Sequence, residues 1–219
     1  VLDAGCGEGT LSIYMAKKGA QVVGCDLSVP NIAASKKYAQ QESITGIVFL
    51  VADLEALPFG DNDFDLVVSS HVLEHLPDFD KGLLEIMRVS KKRAVIAIPT
   101  ILNLCSLVQV GHGWFYLKGP RSFLAFVWGF FRMLCALILG REGVNETYGG
   151  ADVPHVFRFP WIMRQKIKHL GLRLIAYEAD SLCLPYFDFL LPVIQWLNRR
   201  RGNFLLRNLG YGTLYIIGK

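Results

Sequence analysis

The chain is expected to form an α/β domain, a parallel sheet with helices on both faces. Three observations lead there. From residue 1 to about Thr100, short apolar runs alternate with helical patterns, the mark of repeated βαβ units. The first run passes straight into Gly5-Cys6-Gly7-Glu8-Gly9, and the next two close on aspartates, Asp26 and Asp53.

Taken in order, the strands are expected at Val1 to Ala4, Gln21 to Cys25, Ile47 to Val51, Phe64 to Ser70 and Arg93 to Ile98. Helices fall between them at Thr10 to Lys18, Asn31 to Gln41 and Phe79 to Val89, each ending near Gly, Lys or Arg as helix C-termini prefer. The character changes after Pro99. Residues 101–150 are rich in Phe, Trp and Leu, lack the alternation of the first half and read as an insertion. Order resumes over 151–219, with a helix from Pro160 to Leu170 closed by Gly171 and strands at Leu172 to Glu178 and Thr213 to Ile217. A second apolar insertion separates those two strands. At 219 residues the chain suits one well-cored domain with insertions. Val1 already stands in what reads as a buried strand, so an N-terminal lead-in is expected to be missing.

A hydrophobic fraction of 52% and a mean hydropathy of +0.34 are high for a globular domain, leaving apolar surface for a membrane or partner. The net charge of +4 is too weak to imply nucleic-acid binding. Five cysteines, Cys6, Cys25, Cys105, Cys135 and Cys183, form no CxxC pair, which argues against a disulfide framework or zinc knuckle and for a reducing cytoplasm.

The glycine loop lacks the side chains that would keep a ligand from the backbone. Asp26 follows it by about twenty residues, the offset at which nucleoside-binding sheets place a carboxylate for ribose hydroxyls. Ligands of open α/β sheets bind at the carboxyl ends of the strands, so Asp3, Asp26 and Asp53 can converge on one crevice. Asp53 also suits a helix cap before Leu54-Glu55-Ala56.

Four segments, VLDAGCGEG, the GCD at the second strand end, VADLEALPF and FDLVVSSHVLEHLPD, resemble in order and spacing the class I, Rossmann-like S-adenosylmethionine-dependent methyltransferases of the small-molecule type. The resemblance spans Val1 to Pro99, with a weaker echo in His155-Val156-Phe157-Arg158-Phe159 and Gly171-Leu172; both insertions depart from it. It implies a seven-stranded sheet whose last strand is antiparallel. It also implies that Asp3, Gly5, Cys6, Gly7 and Gly9 hold the methionine part, Asp26 the ribose, and Asp53 the adenine amino group. Leu27, Ala52 and Leu54 would flank the adenine ring, and Ser70 and His71 would lie near the sulfonium and the acceptor. An NAD-dependent oxidoreductase is the competing class. Its fingerprint is GxGxxG, whereas this loop reads GxGxG and carries Asp3 and Glu8, poor neighbours for a pyrophosphate and good ones for a cation.

Methyl transfer from a sulfonium needs positioning more than a covalent catalyst, and a general base only for a hydroxyl, phenol or protonated amine. His71 is the first candidate for that base and His155 the second. No metal is expected. The alternative is that residues 71–75 turn helically and place His71, Glu74 and His75 around a divalent ion, although related quinone-precursor methyltransferases carry a carboxylate in place of His71. The local readings are a capping or paired Glu74, a His75 packed beneath the sheet and a His155 buried and hydrogen-bonded within the protein.

The first insertion contains Ser122 to Gly140, nearly long enough to span a bilayer but interrupted by Arg132. A mid-span arginine costs about 2.5 to 3.5 kcal/mol on insertion scales. A helix lying in the interface fits better, with Arg132 snorkelling and Lys118, Arg121 and Arg141 flanking it. The second, Leu182 to Leu197, holds Pro185, Asp188 and Pro192 and leads into Arg199-Arg200-Arg201. Segments 122–140 and 182–201 are therefore expected to form a lid over an apolar acceptor site, dry or in peripheral contact with the inner face of a membrane. The expected activity is methyl transfer to a hydrophobic or lipid-like small molecule. The alternative is a noncatalytic S-adenosylmethionine-binding module that docks a membrane or protein partner.

Overall fold

A computed structural model describes residues 1–111, 120–146, 154–182 and 190–219. These fall into two compact units, residues 1–96 with 216–219, and residues 97–215. The sequence expectations for Lys118, Cys183, Pro185 and Asp188 lie outside the described residues.

In the first unit the strands are β1 (Leu2–Ala4), β2 (Val22–Asp26), β3 (Ile47–Val51) and β4 (Phe64–Ser70). They alternate with helices α1 (Thr10–Lys17), α2 (Val29–Gln41) and α3 (Phe79–Val89). The helix starts follow from their caps. The Ser28 hydroxyl accepts the Asn31 amide at 3.3 Å, with Pro30 in the first turn, so α2 begins two residues before the expected Asn31. The Asp78 carboxylate accepts the Lys81 amide at 3.0 Å, and α3 buries Leu83, Ile86 and Met87 along one side. Strand β5 (Ser90–Pro99) starts three residues ahead of the expected Arg93. Its exposed Lys91, Lys92 and Arg93 hide the start, while the buried Ser90 hydroxyl donates to the Arg93 carbonyl.

Residues 101–150 prove to contain regular structure that their composition conceals. Helices α4 (Leu104–Val110) and α5 (Pro120–Ile138) precede an antiparallel pair, β6 (Gly143–Asn145) with β7 (Val156–Arg158). Then come α6 (Pro160–His169), β8 (Arg173–Ala179), α7 (Leu191–Asn198) and β9 (Gly212–Gly218). Ile101, Leu107, Val110, Met133, Phe157 and Phe159 form the heart of this unit's core. The expected snorkelling of Arg132 is not what the fold uses. Its guanidinium donates to the Val110 carbonyl at the end of α4 and, at 2.6 Å, to the Asn145 carbonyl on β6, satisfying groups that a helix end and a short strand leave open.

The sheet runs β3-β2-β1-β4-β5-β9-β8. β1 pairs in parallel with both β2 and β4, and β2 with β3. β9 is antiparallel to β5: Lys219 donates to the Lys92 carbonyl, whereas Thr100 donates to the Tyr211 carbonyl. The antiparallel last strand is thus as expected, lodged between β5 and β8. Strand order reverses at β1, whose neighbours in the sheet are the second and fourth strands, so the switch point that binds ligands in open α/β sheets falls between β1 and β4.

Candidate functional site

Register brings the relevant residues to one end of the first unit's sheet. Ala4 lies opposite Cys25, and Asp26 opposite Val51, so β1, β2 and β3 finish level; Ser70 lies two residues beyond Val68, the partner of Asp3. The loop leaving β1 turns at once, since the Gly5 and Cys6 amides both donate to the Cys25 carbonyl at 2.8 Å. Gly5 has φ +81°, and a Cβ there would stand 2.3 Å from a Val72 methyl. Gly7 has φ +52° with nothing within 4 Å of its Cβ position, so this part of the loop faces open space. The Cys6 side chain is in the core with Ile13, Ile32 and Phe49, and burial pushes its thiol up to about 12. Its backbone shapes the loop, and its sulfur stays protonated.

Asp26 ties loop and helix together. One carboxylate oxygen accepts the Gly7 amide at 2.9 Å, and the other accepts the Ser28 amide at 2.9 Å and the Asn31 side-chain amide at 3.4 Å. The oxygen on Gly7 keeps an unused lone pair. Asp53 accepts the Glu55 amide at 2.8 Å in a local turn, leaving its carboxylate exposed. Leu27 is 68% exposed beside Asp26, whereas Ala52 and Leu54 are buried. The segment beyond is braced by Arg88, which donates to the Leu57 and Phe59 carbonyls and to Glu85.

Asp3 is buried beneath the loop and accepts the Ser12 hydroxyl at 2.6 Å. Burial, opposed by that hydrogen bond, raises its pKa. A carboxyl whose folded pKa lies above its unfolded one contributes no penalty below the unfolded value, and stability falls as pH rises from there through the folded value. Asp3→Asn is therefore expected to flatten that decline in the unliganded protein, which thermal melts across acid to neutral pH would read; an unchanged slope would contradict it.

At the end of β4, His71 has φ +56°, a left-handed conformation that few non-glycine residues adopt. Only Leu73 to His75 turn helically, as a short 3-10 helix. Hence the geometry imagined for a metal cluster, His71 and His75 one helical turn apart on a shared face, is not formed. The turn instead carries the imidazole Nδ1 to 3.5 Å from a Glu74 oxygen. Glu74 is 1% exposed, and neither of its oxygens has a hydrogen-bond partner among the described residues. Sequence reasoning gave Glu74 a capping or locally paired role, with metal ligation as the alternative; the pairing with His71 is present, whereas the burial of the carboxylate and the left-handed histidine beside it are not signalled by a glutamate three residues after a histidine.

In the second unit, His155 Nδ1 lies 2.9 Å from a Glu146 oxygen, and its ring lies 4.9 Å from that of Phe157. The same Glu146 oxygen accepts from Gln109 at 3.0 Å, and Gln109 in turn accepts from the Tyr211 hydroxyl at 2.7 Å. This chain of partners gives His155 a structural setting and locks α4, β6 and β9's approach together.

A model of a methyltransferase domain matches residues 2–98. A malonyl-[acyl-carrier protein] O-methyltransferase of Pseudescherichia vulneris is 35% identical over 116 residues, 52% of this chain and 43% of that protein. A ubiquinone biosynthesis O-methyltransferase of Coxiella burnetii is 31% identical over 176 residues, 80% of this chain and 64% of its own length. The chain thus spans less than two thirds of either relative. Among solved structures, an S-adenosylmethionine-dependent methyltransferase from Mesorhizobium loti shares the fold with a TM-score of 0.65 at 18% identity, covering 100% of this chain and 89% of that one. Magnesium protoporphyrin IX methyltransferase from Synechocystis, with bound S-adenosylhomocysteine, does so at 0.57 and 17%, covering 100% and 73%. Sheet order, loop geometry and these relationships together make the chain a member of the class I, Rossmann-like S-adenosylmethionine-dependent methyltransferases.

Proposed function

We propose that the protein transfers the methyl group of S-adenosylmethionine to an oxygen on a hydrophobic, lipid-like small molecule. The observation that carries this reading is the strained His71 at the β1/β4 switch point, backed by the buried Glu74 carboxylate. A conformation of this kind persists where the surrounding fold enforces it, and such residues gather at functional sites.

The residues present fit the cofactor. Open space at Gly7, an unused lone pair on Asp26 and an exposed Asp53 carboxylate offer room and acceptors for the methionine part, the ribose and the adenine amino group respectively. Leu27 offers an apolar surface for the adenine ring, while Gly5, Gly9 and the Cys6 backbone hold the loop and Ser70 borders it. Bound S-adenosylmethionine supplies a methyl group on a sulfonium that leaves as a neutral thioether. His71 accepts the proton of the acceptor hydroxyl as its oxygen bonds to carbon, and Glu74 orients the imidazole and stabilises its charged form. Both relatives are named as O-methyltransferases, which supports oxygen as the acceptor atom.

The test is turnover of labelled S-adenosylmethionine with a membrane-lipid extract, measured beside calorimetric binding. Label in an organic-soluble product supports the reading, whereas cofactor binding without turnover would favour the noncatalytic module. His71→Gln is expected to lower kcat on the order of a hundredfold or more and to remove the acidic limb of the pH-rate profile, with cofactor affinity unchanged. A variant as active as the parent would remove His71 from the chemistry.

A further inference from the structure

Helix α5 is built inside out for a helix facing water. The side it turns to the core carries mostly small residues, Ser122, Ala125, Gly129 and Ala136, with Met133 and the partly buried Phe126 among them. The side it exposes carries large ones: Phe123 at 67%, Leu124 at 65%, Trp128 and Val127 at 47% and Phe131 at 52%. Between Ser122 and Leu139 the one charged residue is Arg132, and its guanidinium is turned onto backbone carbonyls. The outward side is therefore apolar along the helix, which at 19 residues extends about 28 Å. No helix among the described residues is long and apolar enough to cross a membrane. A surface of this kind marks an interaction site.

Charge decides what covers it. Residues 97–215 contain 13 Lys and Arg against 6 Asp and Glu, so this unit is strongly basic although the whole chain is only +4. A second copy laid on the same surface would bring like charge against like; an anionic lipid surface would not. At the C-terminal end of α5 a cavity of about 350 Å³ is lined by Arg132, Arg141 and Asn145 together with Phe131 and Leu139, a mixture suited to a phosphate headgroup and its first methylenes. A smaller patch of similar chemistry occurs on α7, where the Arg200 guanidinium lies 4.1 Å from the centre of the half-exposed Trp196 ring.

We propose that α5 lies flat in the headgroup region of an anionic phospholipid bilayer, its aromatic side inserted and the Arg132–Arg141 cavity at the headgroups. The docking is independent of which acceptor is methylated. The test is flotation of the full chain with vesicles of phosphatidylcholine alone and with phosphatidylglycerol added, at low and high salt. The protein is expected to float with the anionic vesicles at low salt and less so at high salt. Phe123→Ser with Val127→Ser, both at exposed positions, is expected to lower the partition coefficient by about a hundredfold, and Arg141→Glu to weaken binding to the anionic vesicles alone. Circular dichroism and thermal melts show that each variant is folded. A wild type that stays at the bottom, a double variant that floats as well as the parent, or a dimer in light scattering that the double variant dissociates would each overturn the proposal.

Discussion

Replacing Asp26 by alanine is expected to lower the affinity for S-adenosylmethionine by on the order of a hundredfold or more. The side chain accepts the Gly7 and Ser28 amides, each at 2.9 Å. Hydrogen bonds to a charged group are worth about 1.5–3 kcal/mol each, and 1.4 kcal/mol corresponds to tenfold in affinity. Losing the carboxylate therefore frees the loop at Gly7 as well as deleting the ribose acceptor, and the two effects reinforce each other. Asp26→Asn should fall between, because its amide oxygen can still accept from Gly7 while its NH2 group confronts the Ser28 amide. Isothermal titration calorimetry with S-adenosylmethionine measures both variants. A loss of less than tenfold for the alanine variant would displace Asp26 from the ribose subsite.

This loop was legible because its constraints are local. A glycine-rich turn leaving a strand and an aspartate ending the next strand need no knowledge of distant contacts, and the strands through Ser70 are found within about a residue of where alternation and punctuation place them. Asp53 was legible only in part, since one carboxylate satisfies both readings: its observed bond to the Glu55 amide is the local one, and its exposure leaves the other open. What the sequence hid depends on partners far along the chain. Arg132 reads as a charge stranded in an apolar run, yet its acceptors are carbonyls 22 and 13 residues away. Helix α4 is apolar almost throughout, so it shows no amphipathic period to detect. Glu74 and His71 acquire their relationship from a left-handed turn at His71, a conformation histidine adopts more readily than most residues but too rarely to be read from its type alone.

Gly129→Val is expected to be strongly destabilising, and the reason lies in how α4 and α5 cross. A Cβ on Gly129 would stand 1.8 Å from the Leu107 carbonyl oxygen, and one on Gly111 would stand 1.7 Å from the Ala125 carbonyl oxygen. Each glycine thus receives the backbone of the other helix. Intrinsic propensity points the opposite way, because glycine inside a helix costs about 1 kcal/mol relative to alanine. The steric effect wins: the obstructing atoms are main chain, so relief requires moving one helix off the other and opening the packing of Leu107, Val110, Met133 and Ala136. Overpacking ordinarily costs about 1–3 kcal/mol and more where no side chain can yield. A loss of about 3 kcal/mol or more, lowering Tm on the order of 10 °C, is expected in calorimetric melts. Gly129→Ala should fall in the same direction by less. Gly202→Ala is the control, since its Cβ would meet only a Glu178 carboxylate oxygen at 3.5 Å, and it should melt with the parent. If Gly129→Ala instead raised Tm, helix propensity would be the larger effect and the two backbones would not be in contact at this crossing.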